Sequence, residues 1–353
     1  MNSDDTQLSA VAKIFVKKFR LDGCTVFSEQ EFAPVLSPYE NREITAEELQ
    51  EVRNRVTKFY IDKGYVSSGA VIPDQNVENG IITLKIIEGR LTQITVSGNI
   101  RLRSGYVKKR AELASGDHPL NINVLQERLK LIKQDSRIEN VNAALSPGMK
   151  PGESQLNVEV DEARPYHLTT RFNNYNSPGI GSYRGEFELS HLNLSGWGDS
   201  LTVQYNLTEG LDNYLAEYAV PLTRWDTTLR LKAEKADSTV VADPFNRLDI
   251  ESSTETYSAA ISHPFFKSLA REISADIRLE KRKSETRLME QGFAFSEGVP
   301  ELHEENSGQT AVTVLRFSQE WVERSFDQVI AARSTFGFGL DLFDATIHDD
   351  NRA

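Results

Sequence analysis

Residues 84–99 read "LKIIEGRLTQITVSGN". Two alternating apolar runs meet at a single Glu-Gly-Arg, and alternation at period two is the mark of a strand. About 75 residues on, residues 156–172 read "LNVEVDEARPYHLTTRF". An alternating run again ends in Glu, a small residue and Arg, and another begins. The same strand ending written twice points to a repeated unit, with Arg90 and Arg164 at the two module ends.

Working outward from Glu88, residues 12–90 give one copy. "AKIFVKKFRLDG" alternates and stops at Gly23, as a strand does. Ser28 with Glu31, and Thr45 with Glu48, have capping-box spacing and announce two helices. In the second helix Leu49, Val52, Val56, Phe59 and Tyr60 recur at three and four, and Gly64 ends it. "YVSSGAVIP" and "IITLKIIEG" are two more strands around the turn Asn79-Gly80. Residues 91–164 repeat the order. The strand "LTQITVSGN" is followed by the helices "SGYVKKRAELAS" and "NINVLQERLKLIKQDS", then by the strands "IENVNAALSPG" and "ESQLNVEVDEA". Both copies are α+β modules of order β-α-α-β-β.

Composition narrows the partners. Lys and Arg number 40 against 52 Asp and Glu, a net charge of −12, which argues against a nucleic-acid binder. The lone Cys24 excludes an internal disulfide and a Cys-based metal site. One thiol fits the cytoplasm or an exported bacterial protein that does without disulfides. With 39% hydrophobic residues and a mean hydropathy of −0.44, no window approaches a transmembrane helix. A transmembrane β-barrel stays open, because alternation keeps average hydropathy low. No secretory signal is visible in "MNSDDTQLSAVAKIFVKKF".

The segments "DKGYVSSGAVIPDQ" and "NGIITLKIIEGRL" carry a resemblance to a known family. Their Gly64-Tyr65-Val66-Ser67 start, Pro73-x-Gln75 and Glu-Gly-Arg end stand in the order of a first POTRA module. The resemblance is to the outer-membrane transporters of two-partner secretion, also called haemolysin secretion/activation proteins. "SPGMKPGESQLNVEV" is similar to the closing hairpin of that family's second POTRA module. "GSYRGEFELSHLNLSGWGDSLTVQY" resembles its first barrel hairpin, in its Gly-rich start and Gly-Trp-Gly-Asp turn.

After Pro165 helical periodicity is gone, and nine strands are expected near 166–176, 183–194, 200–208, 214–222, 227–236, 249–262, 271–284, 310–322 and 328–343. Leu229 and Leu231 interleave with Arg230 and Lys232, and Ile277 and Leu279 with Asp276 and Arg278. Runs of about ten residues suit a tilted strand crossing a bilayer, whereas soluble strands centre on about five or six. Short links ("SGWGD", "TRWD", "RSFD" and a medium one around "HPFFKS") alternate with longer ones ("NSPGIGS", "EGLDN", "ADSTVVADPFNR" and residues 285–309). That is how a membrane barrel writes its turns and loops. Trp197, Trp225 and Trp321 fall on the short-link side, where an aromatic girdle would sit. Leu192 and Leu194 break phase with Phe187 and Leu189, as a bulge would cause. Arg230, Lys232, Asp276 and Arg278 are therefore expected to face the lumen, and Leu231 and Ile277 the lipid.

The domain reading is a linker remnant (1–11), a first module (12–90), a second (91–164) and a partial outer-membrane β-barrel (165–353). The resemblance implies sixteen barrel strands, a signal peptide, a plug helix and an inward-folding sixth loop. The stop at "DATIHDDNRA" makes the chain read as a fragment. It further implies capture of a large unfolded secreted protein by the modules and its export through the barrel without ATP. An extended client can add to an open sheet edge through main-chain hydrogen bonds. The candidate client residues are accordingly Tyr60, Tyr65, Ser67, Ser68, Val71, Pro73 and Gln75. Alternatives left open are an insertase of the same superfamily and a soluble periplasmic POTRA binding module. No enzyme is expected: the six histidines (118, 167, 191, 263, 303 and 348) lie singly, and no nucleophile or nucleotide motif is present. No catalytic residue, metal, cofactor or small-molecule substrate is assigned. The expected surroundings are outer-membrane lipid and the periplasm of a Gram-negative bacterium.

Overall fold

The structure, a computed structural model, describes residues 13–114, 118–293 and 308–346. The segment read as a linker remnant, His303, His348, much of the link 285–309 and the end of "DATIHDDNRA" lie outside the described residues. The chain resolves into two compact units. One holds residues 1–99, 107–134 and 140–161; the other holds 100–106, 135–139 and 162–353.

The first module runs β1 (Ile14–Val16), β2 (Lys18–Asp22), α1 (Glu29–Leu36), β3 (Arg42–Ile44), α2 (Ala46–Asp62), β4 (Gly69–Val71) and β5 (Ile81–Ile87). Both capping boxes form. The Glu31 carboxylate accepts from Ser28 N at 2.8 Å; Glu48 accepts from Thr45 N at 2.9 Å and its own N–H donates to Thr45 Oγ1 at 3.3 Å. Such caps satisfy the orphan donors of a helix start. Gly64, at φ +93°, ends α2. The sheet order is β2-β5-β4, with β2 parallel and β4 antiparallel to β5. Phe19, Phe32, Val52, Val56, Ile82 and Leu84 fill the core beneath α1 and α2. "AKIFVKKFRLDG" is two strands rather than one. The chain breaks at Lys17, whose amide is held by Gly80 O at 2.7 Å, and β1 pairs with a short β3 that the sequence did not announce.

The second module runs β6 (Arg90–Ser97), α3 (Ser104–Ala111), α4 (Ile122–Lys133), β7 (Ile138–Pro147) and β8 (Glu153–Glu162). Its sheet order, β6-β8-β7 with β6 parallel to β8, repeats the first. Leu125 and Ile132 are the buried face of α4.

Residues 166–340 form one antiparallel meander in chain order. The strands are β9 (Tyr166–Asn173), β10 (Arg184–Leu192), β11 (Ser200–Thr208), β12 (Leu211–Pro221), β13 (Thr228–Thr239), β14 (Ile250–Lys267), β15 (Arg271–Leu288), the two-residue β16 (Gln291–Gly292), β17 (Gln309–Arg324) and β18 (Val329–Leu340). β16 pairs with the end of β15, and β9 and β18 are the sheet's two edges. Two link readings and one phase reading are corrected. "HPFFKS" is not a link: β14 runs through it to Lys267, with a bulge at Pro264/Phe266 where Pro264 lacks an amide to pair. "EGLDN" contributes only the two-residue turn Glu209-Gly210, so short and long links do not alternate strictly. Leu194 breaks phase because β10 has already ended, with Asn193 at φ +72° opening the turn; β10 itself keeps regular register to Leu192.

Candidate functional site

The repeated strand ending has one structural job in both modules. The Glu88 carboxylate accepts from the main-chain amides of Thr25 (2.8 Å) and Val26 (3.1 Å), and from the hydroxyls of Thr25 and Tyr60. The Glu162 carboxylate accepts from the amides of Ile100 (2.7 Å), Arg101 (2.9 Å) and Leu102 (2.7 Å). Each glutamate thus closes the loop that leads into its module's first helix, after β2 in the first module and after β6 in the second. Gly23 and Gly98, at φ +84° and +80°, turn the chain into these loops; a Cβ at either would strike the carbonyl oxygen of Ile86 or Val160, two residues before the glutamate. Burial alone would raise the Glu88 pKa, but the hydrogen bonds outweigh it and hold the carboxyl below its usual range.

The residues read as a client surface separate into three groups. Tyr60 is wholly buried, with its hydroxyl on Cys24 Sγ and Glu88, and so offers no surface. Ser67 and Ser68 are committed to other contacts. Ser67 Oγ lies 2.7 Å from Ser154 Oγ, and Ser68 Oγ accepts from Gly89 N at 2.8 Å. Gln75 substitutes for backbone. Pro73 cannot donate to the ladder, and Gln75 instead binds both Thr83 N (2.7 Å) and Thr83 O (2.8 Å) beyond the end of β4. Tyr65 is half-buried against Phe27 and Tyr60. Val71 remains exposed at the end of β4, and the flanking Ile61 and Val66, which the sequence reading did not single out, are exposed as well. Among the described residues, β4 pairs on one side only, with β5. On its other side the Ala70 amide donates to Thr57 Oγ1 of α2 at 3.1 Å. Thr57 could not have been picked out from sequence, because only the packing of α2 on β4 brings it there.

The large sheet has two unlike faces. Cross-strand register places Leu229, Ile261, Ile277, Phe317 and Phe336 in one row, and Leu231, Ala259, Leu279, Leu315 and Phe338 in the next. On this face Leu231 is 45% and Ile277 55% exposed. The opposite face carries Arg230, Lys232, Asp276 and Arg278, the four residues read as lumen-facing. They form a lattice of ion pairs: Arg230–Glu217 (3.2 Å), Lys232–Glu234 (2.7 Å), Arg278–Asp276 (4.0 Å) and the neighbouring Arg316–Glu280 (2.8 Å). Trp197 and Trp225 stand in the short turns 193–199 and 222–227, and Trp321 near the same end of β17, all exposed by more than a third. No helix among the described residues is long and apolar enough to cross a membrane, which says nothing of strands. Among the described residues, no group of three His, Cys, Asp or Glu could hold a metal ion.

Residues 14–89 match the POTRA domain of ShlB type, and residues 152–297 match the haemolysin secretion/activation protein ShlB/FhaC/HecB. The chain is thus similar to the ShlB/FhaC/HecB family in both its module region and its sheet region. It is 23% identical over 236 residues to the heme/hemopexin transporter protein HuxB of Haemophilus influenzae, a match covering 66% of this chain and 42% of that protein. It is 20% identical over 238 residues to the outer membrane transporter CdiB of Dickeya dadantii, covering 65% of this chain and 41% of that protein. The chain thus spans about two-fifths of the length of these curated relatives. Its fold matches CdiB from Escherichia coli with a TM-score of 0.70 at 19% identity, over 99% of this chain and 65% of that one. It also matches BamA from Haemophilus ducreyi lacking POTRA domains 1–3, with a TM-score of 0.54 at 12% identity, over 93% and 64% of the two chains. Two POTRA modules followed by a barrel-type antiparallel sheet are therefore the architecture of this chain.

Proposed function

We propose that this chain belongs to a two-partner secretion transporter of the outer membrane. Its POTRA modules lie in the periplasm, capture a large unfolded secreted protein and pass it to the barrel for export without ATP. The observation that carries this reading is the pairing of a ShlB-type POTRA region with a sheet that is apolar on one face and ion-paired on the other. Such a wall suits lipid outside and water within. HuxB and CdiB, which the chain resembles, are named as transporters. The test is to delete the gene and assay two outcomes: release of the large exoprotein encoded beside it, and assembly of an unrelated outer-membrane porin. Loss of release with normal porin assembly supports transport. The reverse supports the insertase reading, and no effect on either leaves only a periplasmic binding role.

Within that reading, the client adds at the outer edge of β4. Val71, Pro73 and the exposed rim of Tyr65 flank the added strand, with Ile61 and Val66 as apolar neighbours. Tyr60, Ser67, Ser68 and Gln75 shape the edge from behind. A main-chain edge with apolar neighbours reads little sequence, which suits an unfolded partner.

A further inference from the structure

The loop that Glu162 closes has a second occupant, and it comes from the large sheet. All the residues concerned belong to the unit of residues 100–106, 135–139 and 162–353. Turn 193–199, the "SGWGD" link between β10 and β11, is first braced internally. The wholly buried Asp199 carboxylate accepts from Ser195 N (2.8 Å), Ser195 Oγ (2.9 Å) and Tyr218 OH (3.0 Å), and Gly198 N donates to Asn193 Oδ1 at 3.0 Å. The braced turn then meets the Glu162-held loop. Arg103 N donates to Gly196 O at 3.0 Å, and the Arg103 guanidinium lies over the Trp197 ring at 4.3 Å. Gly198 leaves no room for a Cβ, because one there would enter the ring of Tyr106. Tyr106 OH is in turn anchored on Asp135 Oδ2 at 2.5 Å, and Asp135 Oδ1 holds Arg137 at 2.9 Å.

We infer that residues 100–106 and 135–137 form a socket, held in shape by Glu162, that grips turn 193–199 and so fixes where the β10–β11 hairpin starts. Glu162, Arg103 and Trp197 are positioning residues of this socket. The physical case rests on pre-organisation. Three main-chain amides focused on one carboxylate leave loop 100–102 little freedom. A cation over an indole face adds an attraction that strengthens as the pair is desolvated. A Cβ at Gly196 would lie 3.0 Å from Arg101 O and one at Gly198 would enter the Tyr106 ring, and both glycines have positive φ (+89° and +77°), so glycine at both positions lets the turn seat closely on the socket. Glu88 performs the same closure in the first module, which supplies a matched internal control.

The experiment is a pulsed electron spin resonance distance between labels at Ser104 and Arg224, both exposed, in the full-length protein in detergent with Cys24→Ser as background. The native protein should give a narrow distribution. Glu162→Gln and Trp197→Ala should each widen it about twofold, as expected when tertiary contacts holding a loop are lost. Trp197→Phe, which keeps a ring face for the guanidinium, should restore it, and Glu88→Gln should leave it narrow. The inference is overturned by a distribution already broad in the native protein. It also fails if Trp197→Ala stays as narrow as native, or if Glu88→Gln widens the distribution as much as Glu162→Gln, since the effect would then be general loosening. Should Glu162→Gln fail to fold, Trp197→Ala and Trp197→Phe decide alone, because Trp197 is half exposed and outside the core.

Discussion

Glu88 and Glu162 were visible in the sequence as a repeated ending, but not what they do. Their partners lie about 60 residues upstream (|i−j| of 60 to 63), beyond the reach of any local pattern. The same limit hid the burial of Tyr60. Its place on the apolar stripe of α2 was legible, yet its hydroxyl closes on Cys24 and Glu88 from other elements. The Glu88 pKa is depressed in the folded state, so its contribution is full above the unfolded carboxyl value of about 4.3 and is lost as pH falls through the lower folded value. Amide exchange should report this locally. Protection at Thr25 and Val26 should fall on acidification below that range while protection in α2 persists. Glu88→Gln should reduce that protection at neutral pH and flatten its pH dependence, because a hydrogen bond to a charged group is worth about 1.5–3 kcal/mol. Unchanged protection in Glu88→Gln would mean the loop is held by its apolar contacts alone.

At the scale of elements, the helices were the most legible part. The Ser28/Glu31 and Thr45/Glu48 boxes mark where α1 and α2 begin, and replacing Thr45 with Ala should cost about 1 kcal/mol in a denaturation midpoint. The strand links were less legible, because turn residues mark a bend without saying how many residues it takes. A two-residue turn at Glu209-Gly210 and a bulge inside "HPFFKS" both read as longer interruptions. The β4 edge shows a different limit: Pro73 correctly announces the end of pairing, but Gln75 then extends the ladder with its side chain, which only the register with Thr83 reveals. Two outcomes follow for this edge. Thr57→Val removes the acceptor of the buried Ala70 amide, and an unpaired buried donor costs about 1–3 kcal/mol, read from the same midpoint. In the proposed transporter it also frees that donor for a client strand. Photocrosslinkers at Val71 and Val66 should therefore capture the exoprotein, whereas one at Ser67 should capture little. Capture through the second module instead would move the client surface off β4.

For the whole molecule, the alternation after Pro165 carried the most information, because a single period-two pattern assigns every residue of nine strands to one of two faces. That assignment survives the misread links, since a link of the wrong length moves a strand end without shifting the phase within the strand. The faces differ in what a new charge would meet. Leu231 and Ile277 lie in uninterrupted apolar rows, where on the proposed function their neighbour is lipid; Lys232 and Arg278 lie among ion pairs, where their neighbour is water. An arginine on a lipid face near mid-bilayer costs about 2–4 kcal/mol, and a lumen substitution less. Leu231→Arg and Ile277→Arg should therefore lower the amount of full-length protein assembled into the outer membrane, measured by heat-modifiable mobility and protease resistance. Lys232→Leu and Arg278→Leu should leave assembly near the native level while changing single-channel conductance, because each removes one charge from the ion-paired lattice. Equal loss of assembly from both pairs would mean that both faces are packed against protein. Equal tolerance would mean that neither face meets lipid, and the sheet would then be a soluble one with a single wet side, for which the transporter proposal has no place.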